Sequence, residues 1–143
     1  MLLKANVEKV VIGWNKGIKS RINIGKKNNQ NFVQIPFVKI IETLKYKLEA
    51  EGIEVEIVEE SYTSKSSVLS GDSLPEYKKE DNSSFNFSGK RVKRGLYEDK
   101  NYGKIHADIN GSYNILRKSG LETEEIVRIA RENKKQGLGI KVN

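Results

Sequence analysis

The chain is predicted to fold as an α/β domain, and three observations carry that expectation. A short apolar run ends in Gly-Trp, an amphipathic helix with its own start and stop signals follows, and a second run alternates apolar with acidic residues. Strand, helix and strand within about fifty residues make a βαβ unit. Its strands are expected to lie side by side and run parallel, with a right-handed crossover.

The first strand falls in residues 7–14, in Val10-Val11-Ile12-Gly13-Trp14. This run of β-formers shows no polar alternation, which suits a strand covered on both faces. Residues 15–30 form a polar loop that carries Lys16, Lys19, Arg21, Lys26 and Lys27 and no acid. Pro36 opens a helix, because its fixed φ and missing N–H cost nothing at a first helical position. Phe37, Ile41, Leu44 and Leu48 then recur at steps of four, three and four. Val38 and Ile40 widen that face, and Gly52 stands just past its end. Ile53-Glu54-Val55-Glu56-Ile57-Val58 is the second strand and runs straight into Glu59-Glu60. From residue 61 to 103 the pattern collapses into Ser, Gly, Asn, Asp and Lys with Pro75 in its midst. That stretch is expected to be a long irregular insertion. Lys104-Ile105-His106-Ala107-Asp108 reads as a connector or short strand, and residues 109–118 as a helix with Tyr113 and Leu116 at helical spacing. A last helix over residues 122–135 uses Ile126, Ile129 and Ala130, capped by Ser119 with Glu122 or by Thr123. Residues 136–143 are expected to be a flexible tail.

With 143 residues the sequence supports one domain, residues 1–143. It has no Cys, which excludes a disulfide framework, a cysteine nucleophile and a thiolate metal site. Its single His excludes histidine-built metal centres. Carboxylates are the remaining metal ligands, and they favour hard cations such as Mg²⁺ or Mn²⁺. Twenty-six basic side chains against 19 acidic ones leave a net charge of +7. That balance suits a polyanionic partner, either nucleic acid or an anionic membrane surface. The competing reading is a cytosolic protein that is basic for solubility. No apolar run is long enough to span a bilayer, and Met1-Leu2-Leu3-Lys4 lacks the apolar core of a signal peptide. A cytoplasmic location without membrane contact is therefore expected.

Two carboxylate positions are candidates for chemistry. Glu59-Glu60 lies at the carboxyl end of the second strand, and Asp108 at the start of a helix. Ligands of open α/β sheets bind beyond the carboxyl ends of the strands. Carboxylates that converge there repel one another unless a cation lies between them, and such a cation activates water for phosphoryl chemistry. The plainer alternative makes Asp108 an N-cap and leaves both glutamates solvated. Strand alternation turns Glu59 and Glu60 to opposite faces. Glu60, which abuts the Ser61-Tyr62-Thr63 turn, is taken as the ligand and Glu59 as its rival. Asn110 and Asn114 sit near enough to Asp108 to support such a site. The alternative for both is helix surface or capping, which is the expectation for Asn114. Residues 86–104 hold six basic side chains against Glu98 and Asp99, interleaved with Phe87, Tyr97 and Tyr102. That mixture suits a nucleic-acid backbone with rings stacking on bases, and Lys90, Arg91 and Arg94 are its candidate contacts. The alternative is a solvated loop with a small aromatic anchor.

Several motifs resemble one family, in collinear order. They are Val11-Ile12-Gly13-Trp14-Asn15-Lys16-Gly17, Asn29-Gln30-Asn31-Phe32-Val33-Gln34-Ile35-Pro36-Phe37, Glu59-Glu60-Ser61-Tyr62-Thr63-Ser64-Lys65, Phe87-Ser88-Gly89-Lys90-Arg91, Arg94-Gly95-Leu96-Tyr97 and the stretch from His106 through Asp108-Ile109-Asn110 to Lys118. Together they resemble the C-terminal region of TnpB, or OrfB. This is a family of insertion-sequence-encoded, RNA-guided DNA nucleases related to Fanzor proteins and type V CRISPR effectors. The resemblance spans roughly residues 7–119 and implies a partial RuvC-like domain of the RNase H fold. In that fold three acids hold two Mg²⁺ or Mn²⁺ ions for hydrolysis of DNA selected by a guide RNA. Asp108 matches the last of these acids. The usual middle acid has no counterpart in Gly13-Trp14-Asn15, and Glu60, or Glu59, takes the alternative place on the next strand. The first catalytic Asp would precede Met1, so the chain matches about the last third of a full-length member and is expected to be inactive alone. The alternative function is a non-catalytic nucleic-acid-binding remnant. Family members commonly carry a four-Cys zinc ribbon. The resemblance puts its paired-Cys stretches at Ser66-Ser67-Val68-Leu69-Ser70-Gly71 and Phe87-Ser88-Gly89-Lys90, within a degenerate insertion over residues 61–103 that binds no zinc and stays irregular.

Overall fold

A computed structural model describes residues 6–14, 37–77 and 84–137. It divides into two compact units, Met1–Ile57 and Val58–Asn143. The basic stretch 15–30, Pro36 with its expected place at the start of the helix, and the residues beyond Gly137 lie outside the described residues.

In the first unit β1 (Lys9–Trp14), α1 (Phe37–Ala50) and the start of β2 (Glu54–Glu59) follow in order. β1 and β2 are hydrogen-bonded neighbours in a two-stranded sheet. Their first residues adjoin, since Glu54 N–H donates to Glu8 O at 2.9 Å and Lys9 Nζ reaches Glu54 at 3.1 Å and Glu56 at 2.6 Å. Two six-residue strands that meet at their starts stay paired along their length only when they run the same way, which is the parallel arrangement a βαβ unit requires. α1 ends as its sequence predicts. Gly52 takes a left-handed conformation at φ 75°, Gly52 N–H bonds Glu49 O, and Ile53 N–H bonds Leu48 O, both at 3.0 Å. That pair of bonds is a Schellman stop. One expectation fails here. β1 is half-buried along its whole length rather than covered on both faces: faces of a parallel sheet are covered by helices, and α1, the one helix among the described residues of this unit, can cover one face at most.

The second unit corrects the reading of residues 61–103 as irregular in its last part, from residue 89 onward, while the described residues 61–77 and 84–88 hold turns and no strand or helix. β3 (Gly89–Lys93), β4 (Leu96–Asp99) and β5 (Gly103–His106) form an antiparallel sheet in that order. Registers are Lys90 opposite Glu98 and Tyr97 opposite Ile105, with a bulge between Arg91 and Lys93. The strands are four or five residues long and β3 is largely exposed, so no apolar alternation marks them in the sequence. β5 runs directly into α2 (Ala107–Arg117), which is followed by α3 (Thr123–Lys135). The core gathers Val68, Leu69, Tyr97, Ile105, Ala107, Ile126 and Ala130, with Ile109, Tyr113 and Leu116 packed against it. Val68 and Leu69 come from the supposed insertion and are fully buried. Each large apolar side chain removed from water stabilises by about 1.5–3 kcal/mol, so this turn anchors the unit. The cap on α3 also differs from expectation. Glu122 holds the N-cap position without a side-chain bond, while the Ser119 hydroxyl donates back to Leu116 O at 2.7 Å. No described helix is long and apolar enough to cross a membrane.

Candidate functional site

α2 is amphipathic in an unusual sense, because one of its faces is polar yet buried. Asn110, Asn114 and Arg117 recur at steps of four and three, which places them on one face, and all three are buried. Asn110 Oδ1 accepts Val68 N–H at 3.0 Å and its Nδ2 donates to Ser66 O at 2.9 Å. Asn114 Nδ2 donates to Thr63 O at 2.9 Å and Ser66 O at 2.8 Å. Arg117 donates to Asn114 Oδ1 at 2.9 Å and to Asp72 O at 2.7 Å. Burial pushes the Arg117 pKa down, against the pull of nearby Asp72. The expectation of helix surface for Asn114 is thereby overturned, and the role of both asparagines is to hold the backbone of residues 63–68 against α2. Paired amide side chains satisfy the donors and acceptors of a loop that cannot complete a ladder.

Glu59 is engaged. Lys118 Nζ lies 2.8 Å from its Oε2, Ser61 N–H donates to its Oε1 at 2.7 Å, and the Ser61 hydroxyl donates to the same oxygen. Burial pushes this carboxyl up, but the bonds from Lys118 and Ser61 outweigh it and hold it below the usual glutamate range. Glu60 is half-buried; its carbonyl accepts the Thr63 hydroxyl at 2.8 Å, and no described residue forms an ion pair with its carboxylate. Asp108 sits in the first turn of α2 with its side chain 79% exposed, 3.8 Å from His106 Nδ1. The cap of α2 is the His106 ring, whose Nδ1 accepts Asp108 N–H at 3.3 Å. Among the described residues no three His, Asp or Glu side chains gather as a metal-holding group. The carboxylate donors of Glu60 and Asp108 suit a hard cation in kind.

The basic candidates lie together. Lys90, Arg91, Lys93 and Arg94 are all exposed along β3 and its turn, and β3 is an edge strand. Register puts Lys90, Glu98 and Lys104 in one cross-strand row on the outer face, opposite buried Tyr97 and Ile105. Tyr97 is not free to stack on a base as the composition suggested. It is fully buried, with its hydroxyl donating to Lys65 O at 2.7 Å. Phe87 packs with Tyr62 and Phe85, and Tyr102 lies under the Arg131 guanidinium at 4.3 Å.

Sequence reasoning missed a pair of facing turns. Residues 67–72 close through Gly71 N–H to Val68 O at 3.1 Å and Asp72 N–H to Ser67 O at 3.0 Å. Residues 99–103 join β4 to β5. Both turns use a glycine at positive φ, 67° at Gly71 and 75° at Gly103, a conformation that costs other residues dearly. The turns touch where the Ser70 hydroxyl donates to Asp99 Oδ2 at 2.7 Å. Phe87-Ser88-Gly89-Lys90, where the resemblance puts the second paired-Cys stretch, instead leads into β3, and it is tied to the first turn through Asp72, which accepts Ser67 N–H and Ser88 N–H, both at 2.8 Å. The repeated polar-x-x-polar-Gly pattern, Ser67 to Gly71 and Asp99 to Gly103, was the available signal. Its donors are hydroxyl, carboxylate and phenol, with no thiolate or imidazole, and they do not fit zinc.

No curated protein and no solved structure matches the chain significantly. A sequence family described as Cas12f1-like, TNB domain, matches residues 37–115. The match takes in α1, both asparagines of α2, the facing turns and the basic edge strand. It agrees with the TnpB resemblance at the level of the wider family. Because it covers more than half of the sequence, the chain belongs to the Cas12f1-like TNB domain family.

Proposed function

We propose that the chain is a nucleic-acid-binding part of a TnpB-type, RNA-guided, divalent-metal-dependent DNA endonuclease, with DNA and guide RNA as its partners. The observation that carries this reading is the exposed basic edge of β3, where Lys90, Arg91, Lys93 and Arg94 follow one another with no acid among them. Such an edge suits phosphate, because each cation placed on the backbone releases condensed counterions. Glu60 and Asp108 are the acids of this chain that would hold Mg²⁺ or Mn²⁺, since Glu59 is tied to Lys118. A bound ion there would supply activated water and neutralise charge on a phosphodiester. With no third acid gathered beside these two among the described residues, this reading is one of binding without cleaving, in keeping with a non-catalytic remnant.

The test is a salt titration of binding to a fluorescent single-stranded DNA and its duplex. Affinity is expected to fall linearly in log–log form. Changing Lys90, Arg91 and Arg94 together to Ala should reduce the slope by roughly 1 per lost phosphate contact. A triple variant that binds like the parent, with the same slope, would show that the charge is only a solvated face.

A further inference from the structure

We propose that the two facing turns, residues 67–72 and 99–103, form a metal-free clasp, in which Asp99 and Arg131 supply the cross-links that a zinc ion supplies in the ribbon implied by the resemblance. The inference concerns how this region is held and does not depend on what it binds.

Each turn places a polar residue at its first and fourth positions and a left-handed glycine at its fifth, Ser67–Ser70–Gly71 in one and Asp99–Tyr102–Gly103 in the other. Two intervening residues is the spacing of paired ligands in structural metal sites. What bridges the turns here is a carboxylate. Asp99 is 2% exposed, and its Oδ2 accepts the Ser70 hydroxyl across the gap. Its Oδ1 accepts Asn101 N–H at 2.7 Å and Tyr102 N–H at 2.8 Å within its own turn. A buried carboxylate is tolerated only when its oxygens are satisfied in this way. The second bridge comes from α3. Arg131 Nε donates to Leu69 O of the first turn at 2.8 Å, while its guanidinium covers the Tyr102 ring of the second turn at 4.3 Å. Arg131 lies beyond the residues matched by the family, so a helix outside that region completes the clasp.

Three arms on the full chain test this. The thermal midpoint should not move with a chelator or with added zinc. Asp99→Asn and Arg131→Gln should each lower it by roughly 4–8 °C. Changing Ser67, Ser70, Asp99 and Tyr102 together to Cys should create a site that takes one cobalt(II) ion. Its signature is thiolate-to-metal charge-transfer absorption with tetrahedral d–d bands, and metal should restore the folded circular dichroism if the apo variant is unfolded. A matched variant with Cys at Ser66, Ser67, Ser88 and Lys90 should give no such spectrum. A chelator-lowered midpoint in the parent, single variants as stable as the parent, or a four-Cys variant without tetrahedral cobalt absorption would each overturn the proposal.

Discussion

Asn114 shows how much one side chain organises. It is fully buried, and it satisfies two carbonyls of the loop and one N–H of Arg117. Asn114→Ala would leave Thr63 O and the Arg117 N–H without this partner in the interior, where each costs about 1–3 kcal/mol, while Ser66 O keeps its bond from Asn110 Nδ2. A loss of about 2–4 kcal/mol in urea unfolding is the expected result, and a loss under 1 kcal/mol would mean that water replaces the amide. Gly89→Ala is predicted to be as damaging for a different reason. A Cβ there would sit 2.5 Å from Glu98 O and 2.6 Å from the Tyr97 ring, and neither the β4 backbone nor a fully buried ring can move away. Refolding yield and midpoint should both fall, whereas Gly111→Ala, with open space around its Cβ, should be neutral or stabilising in α2. The sequence placed Asn110 and Asn114 on one helix near Asp108, four residues apart. It did not show that they are buried, because polarity alone argues for solvent, and only the unpaired backbone of residues 63–68 explains the choice.

At the scale of elements, the facing turns should respond to acid. Asp99 is pushed up by burial, but bonds from Ser67, Ser70 and the N–H groups of Tyr102 and Asn101 outweigh this and hold it below the usual aspartate range. A carboxyl with a lowered folded-state pKa contributes stability in full above its unfolded value of about 4, and that contribution is lost as pH falls through the folded value. Glu59, also lowered, acts in the same window. Urea midpoints are therefore expected to hold between neutral pH and about 5 and then drop. In a Glu59→Gln background, adding Asp99→Asn should flatten what remains of the drop, and an unchanged profile would show that Asp99 is not the group responsible. The elements themselves were unequally legible. α1, β2 and α3 carry periodic apolar residues and a stop or start signal, so their spans were readable within a residue or two. β3 to β5 were not, because short strands with charged outward faces carry no period. Their core is supplied by Tyr97, Ile105 and a turn holding Val68 and Leu69, whose proximity only the fold reveals. The site was legible in part. The basic run was visible as charge, while the pairing of Glu59 with Lys118, 59 residues away, leaves no trace in sequence spacing.

Over the whole molecule, charge and carboxylates pull toward different experiments. The net charge of +7 attracts a polyanion whether or not a metal site exists, so DNA binding alone says nothing about catalysis. Metal binding separates them. Asp108 is exposed in the first turn of α2, where a negative charge favours the helix by about 0.3–1 kcal/mol. Asp108→Ala is thus expected to cost no more than about 1 kcal/mol and leave the fold intact for a clean comparison. Glu60→Gln, with no described ion pair to break, should be equally mild. If these two carboxylates share a cation, Mn²⁺ should bind weakly, broadening specific resonances of α2 and of the Ser61 turn in the NMR spectrum, and either substitution should remove the effect. DNA affinity in the absence of divalent ions should stay within about twofold, since neither residue belongs to the basic edge and a twofold change is only about 0.4 kcal/mol. Hydrolysis of guide-free DNA by the purified chain should be undetectable with Mg²⁺ or Mn²⁺, because two acids leave one side of a two-ion site unheld. Divalent-dependent cleavage that disappears in Asp108→Ala would establish a working nuclease in this chain and overturn the reading of binding without cleavage. Mn²⁺ broadening that survives both substitutions would place the ion elsewhere and remove Glu60 and Asp108 from the site.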